Sequence, residues 1–209
     1  GDNAGTAITS GQRNVIVGVN AMDEATTGSD SVAVGYSAGH SITSALENTM
    51  VGYYAGAETT TGNYNVALGS SALEVNTTGA NNVAIGRAAL DANTTGGNNV
   101  AVGYNALTSN TTSSNNTAFG YFALANNTTG TYNDAFGRST LISTTTGYNN
   151  TASGSEALHQ LTTGSYNAAI GFQAGYNVTT GQNNVFVGRK AGFYGTSLTT
   201  GNTSTFLGS

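Results

Sequence analysis

The side chains that could do chemistry are few, and most do not converge. The chain holds two histidines, His40 and His159, and ten carboxylates: Asp2, Asp23, Glu24, Asp30, Glu47, Glu58, Glu74, Asp91, Asp134 and Glu156. General acid–base catalysis and metal binding both need such groups brought to one place. Asp23–Glu24 is the one adjacent pair, and it reads more simply as a solvated corner than as an acid–base dyad. With no cysteine there is no disulfide framework and no thiolate metal site. A Gly-x-x-x-x-Gly-Lys phosphate loop and a Gly-Gly-x-Gly-x-Asp calcium repeat are both absent. No enzymatic activity, cofactor or metal is therefore expected. One set of residues differs. Tyr36, Tyr53, Arg87, Tyr104, Tyr121 and Arg138 are separated by multiples of 17 residues. Tyrosine and arginine are enriched at binding hot spots. Such a stripe could hold a glycan or another protein, or could simply stack along the edge of a rod.

That spacing belongs to the whole chain. Glycines recur every 17 residues from Gly18 to Gly188, and a further copy ends at Gly208 after an interval of 20. With this glycine as position 0, a clean copy runs Asn82-Val83-Ala84-Ile85-Gly86-Arg87-Ala88-Ala89-Leu90-Asp91-Ala92-Asn93-Thr94-Thr95-Gly96-Gly97-Asn98. The repeat array spans 1–209: a partial coil over 1–11, regular coils over 12–188, and a last coil over 189–209 with a three-residue insertion between Gly192 and Leu198. Gly, Thr and Asn number 30, 34 and 26 of 209 residues, and Leu, Ile, Val and Phe together only 38. So lean a core usually signals disorder, but a stack of identical coils has another source of cohesion. Asn and Thr columns can hydrogen-bond along the stack. Val, Ile, Phe and Thr favour strand, and two glycines per copy mark corners. The expected fold is all-β: a parallel β-solenoid, or β-roll, of about twelve coils, each a strand, a turn, a second short strand and a turn. The absence of proline fits a continuous ladder.

Position −2 shapes the expected assembly. It lies between two apolar strand positions and so points the other way, yet it is alanine in most copies: Ala33, Ala67, Ala84, Ala101, Ala118, Ala135, Ala152 and Ala169. A strand apolar on both faces is usually buried on both. The expectation is that this alanine column forms an interface where about three chains meet around a common axis.

Ser31-Val32-Ala33-Val34-Gly35 and Asn82-Val83-Ala84-Ile85-Gly86 resemble the S-V-A-I-G repeat of trimeric autotransporter adhesin heads. The longer unit with Asn110-Thr111-Thr112 is similar to repeat arrays of phage tail-fibre-type proteins. The likeness spans the chain, although the adhesin coils are shorter and Asn-Thr-Thr-Gly is an added corner. The resemblance implies a left-handed, trimeric β-roll and a place at a cell surface, outside the cell or on a virion fibre.

The functional expectation is a structural rod of an extracellular fibre, filament or stalk. The alternatives are an adhesin or phage receptor-binding fibre that recognises glycan or matrix, and an ice-binding solenoid using the Thr columns at +8 and +9. The expected partners are copies of itself, side by side or head to tail, and a glycan or cell-surface receptor. Ile8, Phe186, Phe206 and Leu207 are the candidate longitudinal contacts. A net charge of −5 with five Lys and Arg argues against nucleic acid, and no apolar stretch is long enough to insert in a membrane. Asn-x-Thr/Ser sequences at Asn76, Asn93, Asn110, Asn115, Asn126, Asn127, Asn149, Asn177 and Asn202 arise from the repeat itself. Those turned into the stack could carry no sugar.

Overall fold

The computed structural model describes residues 1–193 and 199–208. The chain is a parallel β-solenoid with a 17-residue period. Twelve three-residue strands form one sheet, from β1 (Val15–Val17) through β4 (Val66–Leu68), β5 (Val83–Ile85), β8 (Asp134–Phe136) and β9 (Thr151–Ser153) to β12 (Thr205–Leu207). Strand order follows chain order, every pairing is parallel, and like positions face like, as in Ala84↔Ala101. Most of the insertion in the last coil, residues 194–198, lies outside the described residues. The phase is restored by Thr199, whose carbonyl accepts a bond from the Thr179 hydroxyl.

The rest of each coil differs from the expected strand–turn–strand–turn outline. Outside the twelve strands the described residues add one isolated bridge, Ser29↔Leu46. The second straight segment is replaced by a turn in which positions +2 and +4 are left-handed, as at Asn105 (φ 53°) and Leu107 (φ 52°), and +12 is left-handed as well, as at Asn98 (φ 58°). Alternate left-handed residues curl the chain but keep its amides directed along the axis. Thus Asn105 N–H reaches back to Arg87 O (3.1 Å) and Leu107 N–H reaches forward to Ala123 O (3.0 Å). The coils are bonded around much of the perimeter, in turns as well as strands.

Two glycine columns permit this stacking. At position 0 the backbone is left-handed and extended, φ 139° at Gly103, and a Cβ there would stand 2.5 Å from Gly120 O of the next coil. A side chain is barred twice, by conformation and by space. At +10 the backbone is not left-handed, but the approach is close, a Cβ on Gly181 meeting Gly201 O at 2.5 Å, and the column is glycine except at Ala45 and Ser113.

The alanine column at −2 turns into the coil of its own chain. Ala33, Ala67, Ala84, Ala101, Ala118, Ala135, Ala152 and Ala169 are wholly buried without any partner, so they are core residues and the expectation of a chain–chain interface at these positions is corrected. The coil is narrow, and its interior already holds leucine at +4: Leu73, Leu90, Leu107, Leu124, Leu141 and Leu158 are fully buried. Only a methyl fits opposite. At Gly39, Gly56 and Gly175 the +4 residue is glycine, and a larger side chain from −2 or +7 takes up the space, although Leu158 at +4 and Leu161 at +7 are buried together in one coil. A Cβ on Gly56 would stand 2.7 Å from Met50 Cε, one on Gly175 2.9 Å from Phe186 Cδ2, and one on Gly39 2.9 Å from Ile42 Cδ1. The summed volume is held, as close packing requires.

Asparagine supplies the other half of the interior. Asn99 is fully buried. Its Oδ1 accepts the Asn116 N–H (3.0 Å), and its Nδ2 donates to Ser113 O (2.9 Å). The same pair of bonds recurs from Asn48 to Asn184. A second buried ladder at +7 links Asn76, Asn93, Asn110 and Asn127. Threonine at +8 forms a third on the outside, its hydroxyls, that of Thr111 excepted, donating to the threonine carbonyl one coil on, as Thr77 to Thr94 O (3.0 Å).

A buried leucine at φ 52° carries backbone strain of about 1–3 kcal/mol that glycine would not. Leu107→Ala should destabilise by roughly 2–5 kcal/mol through the cavity it leaves. Leu107→Gly should be no worse than Leu107→Ala in urea unfolding, although it removes one more carbon, because glycine recovers the strain. Asn99→Asp should be worse than Asn99→Ala, since a carboxylate cannot donate to Ser113 O and its charge would be buried unpaired.

Candidate functional site

The outer face of the sheet is the first candidate surface. With −2 inside, positions −3 and −1 face outward. Of these 24 positions in the twelve strands, 18 are Val, Ile, Leu, Phe or Ala, and one, Asp134, is charged. Val17, Leu68, Phe119, Phe136, Ile170 and Val187 are each more than a third exposed. Phe119 and Phe136 stack at 5.6 Å. All-parallel sheets normally have both faces covered, and a contiguous exposed apolar patch marks an interaction site.

The Tyr/Arg column at +1 runs beside that face, and the structure divides it in two. Tyr36 and Tyr53 stack at 5.5 Å. Arg87, Tyr104, Tyr121 and Arg138 form a separate run over four consecutive coils. Arg87 Nη1 donates to the Tyr104 hydroxyl (3.0 Å) and its guanidinium lies 5.5 Å from that ring. Tyr104 stacks on Tyr121 at 5.4 Å. Arg138 pairs with Glu156 (2.8 Å). Glu156 is held below the usual carboxylate range, chiefly by the bond from Gln173 and then by Arg138. These cations are engaged within the ladder.

Each stack gains a third ring from position +2. Tyr54 stands edge-on to Tyr53 (4.6 Å) and Tyr36 (5.5 Å), and Phe122 does the same to Tyr121 (4.5 Å) and Tyr104 (5.4 Å). Beside the first cluster lies a cleft of about 220 Å³ bordered by Asn20, Tyr36, Ser37, His40, Tyr54 and Glu58. The periodic reading took in Tyr36 and Tyr53 but missed Tyr54, His40 and Glu58. They stand at +2, +5 and +6, columns with no consensus residue, so no periodic signal marks them.

The remaining candidates stay apart. His40 Nδ1 lies 3.3 Å from Ser41 Oγ, whereas His159 stacks on Tyr176 at 4.8 Å, seven coils away. Among the described residues no three His, Asp or Glu side chains are grouped to hold a metal ion, and no helix is long and apolar enough to cross a membrane. Phe186 is buried and stacks on the half-buried Phe206 at 5.2 Å; Ile8 packs partly on the core, and Leu207 is exposed. Asn76, Asn93, Asn110 and Asn127 are buried ladder members, while Asn126, Asn149 and Asn202 are exposed. At +9, Thr61, Thr78, Thr95 and Thr112 form one exposed column; beside the first three, the +8 hydroxyls of Thr60, Thr77 and Thr94 are engaged between coils. No family model, curated protein or solved structure matches the chain.

Asp91 provides an electrostatic test. Partial burial is the main cause of its raised pKa; repulsion from Glu74 adds to this and Arg87 opposes it. Folding therefore favours the protonated acid. Its stabilising contribution is complete below the unfolded value of 3.8 and is lost as pH rises through the folded value. Asp91→Asn should raise the melting temperature at pH 7 by roughly 1–3 °C. The gain over the wild type should fade below about pH 4.

Proposed function

We propose that the protein is a structural rod, the building block of an extracellular fibre, filament or stalk, whose copies pack side by side through the outer face of the sheet. The observation that carries this is the continuous exposed apolar face at positions −3 and −1, interrupted by one charge. Three-residue strands make it about 10 Å wide, and twelve coils at about 4.8 Å make it about 55 Å long, or roughly 550 Å². Two copies would bury roughly 1,100 Å² in total through it, just above the ~1,000 Å² that a specific interface needs. Its periodicity narrows the partner. Ridges and grooves repeat at the strand spacing, so the surface that interdigitates with it along its whole length has the same repeat, and a second copy of this chain does. The likeness to adhesin heads supports a surface location and an assembly of about three chains. The mechanism is mechanical: a bonded perimeter resists bending and holds whatever the rod displays at a fixed distance.

The test is mass in solution. The wild type should sediment well above the 20.9 kDa of one chain. Ile85→Lys with Val102→Lys, both on the outer face, should return it to one chain with its circular dichroism intact. Ala101→Asp, inside the coil, should instead unfold it. A wild type that stays at one chain's mass at high micromolar concentration would overturn the side-by-side reading.

A further inference from the structure

The geometry points to a binding site for a single neutral pyranose in the cleft between Tyr36, Tyr54, His40 and Glu58. A pyranose has an apolar face of C–H groups and a rim of hydroxyls, each both donor and acceptor. The cleft presents the complement to both. Its aromatic side is rigid, because Tyr36, Tyr53 and Tyr54 brace one another at 4.6–5.5 Å with one stacked and two edge-on contacts. A braced platform loses little rotamer freedom when a ligand arrives. Its polar side converges from three coils. Asn20 offers an amide, His40 a ring nitrogen, Ser37 and Tyr54 hydroxyls, and Glu58 a carboxylate. A carboxylate can accept from two neighbouring hydroxyls at once. About 220 Å³ admits one ring, below the usual range for larger ligands. No Lys or Arg borders the cleft and Glu58 does, so anionic sugars and phosphates are disfavoured.

The molecule contains its own control. Four coils on, Tyr104, Tyr121 and Phe122 repeat the three-ring arrangement with nearly the same separations. There Ala88, Thr108 and Asn126 stand where Asn20, His40 and Glu58 stand in the first cluster, and Phe122 lacks the Tyr54 hydroxyl. The rings recur, as a stacking ladder would require; the rim there keeps polar residues at Asn105, Thr108 and Asn126 but has no imidazole, no carboxylate and no third hydroxylated ring. The His40 imidazole, the Glu58 carboxylate and the Tyr54 hydroxyl thus have no structural part in the repeat. The site lies on the +1, +2, +5 and +6 columns, apart from the outer sheet face, so this inference does not rest on side-by-side packing.

Saturation-transfer NMR on the full chain tests it, using the methyl glycosides of glucose, galactose, mannose and N-acetylglucosamine, with N-acetylneuraminic acid as the anionic comparison. At least one neutral glycoside should receive saturation at millimolar concentration. Its affinity should fall at least about tenfold in Glu58→Gln, which removes a charged acceptor, and also fall in Tyr54→Phe. Asn126→Ala, the equivalent position at the second cluster, should bind as the wild type does. Sedimentation and circular dichroism of all three variants should match the wild type. The inference is overturned by any of three results: no transfer to any neutral glycoside, transfer undiminished in both cleft variants, or equal binding of the anionic sugar.

Discussion

Each residue of this chain must tolerate a near-copy of itself about 4.8 Å away along the axis. Composition, glycine placement and core volume all follow from that constraint. A side chain at position 0 would strike the next coil's carbonyl, so glycine recurs there without exception. A polar group inside is acceptable when its copy completes its bonding. Asparagine does this because it both donates and accepts, and the same amide repeats from coil to coil. Leu, Ile, Val and Phe number only 38, yet the chain is ordered because much of its cohesion is directional and lies between coils. The ladders also show where they end. Asn127 Oδ1 is unpartnered, as the next coil has Thr144, which donates elsewhere, to Leu161 O.

The narrowness of the coil decides which side of the strand faces in. Leucine at +4 fills the interior, so the inward strand position is reduced to alanine and the β-branched residues are displaced outward. The usual rule, large apolar in and polar out, is inverted because interior width rather than hydrophobicity sets the choice. The exposed apolar face is the direct result. A solenoid this slender must either leave that face in water or cover it with another chain.

The repeat, the parallel sheet, the need for glycine and the asparagine and threonine ladders were legible in the sequence, since each is a statement about periodicity. The direction of the alanine column was not. Strict alternation says that −2 and −1 face opposite ways, but assigning inside and outside requires the interior width, which depends on Leu107 and its equivalents folding back in a left-handed conformation. The second strand was misread for the same reason, because an apolar residue at φ 52° is not what its type suggests. Within the Tyr/Arg column, Tyr36 and Tyr104 look equivalent as sequence. Only side chains from neighbouring columns, Tyr54, His40 and Glu58 against Phe122, Thr108 and Asn126, distinguish them.

The apolar face also contains information about orientation. Thr49, Thr117 and Thr205 are scattered along its −3 edge, but its main polar interruption is off-centre: Asp134 in β8, with Thr151 and Ser153 in β9. Suppose two copies pack with their axes antiparallel and centres aligned. Then β8 lies against β5 of the partner and β9 against β4, and Asp134 faces Val83 and Ile85 with no cation among the outward residues. A buried, unpaired carboxylate is costly enough to disfavour that arrangement. With axes parallel and rods related by rotation about a common axis, the −3 column of one copy lies beside the −1 column of the next. In register Asp134 then lies beside Phe136, and a slide of one coil brings it beside Ser153, so that Asp134, Thr151 and Ser153 stay within one coil of one another across the seam. The interruption thus disfavours antiparallel, centred packing and favours parallel axes, with the polar residues of neighbouring copies kept at nearly one height.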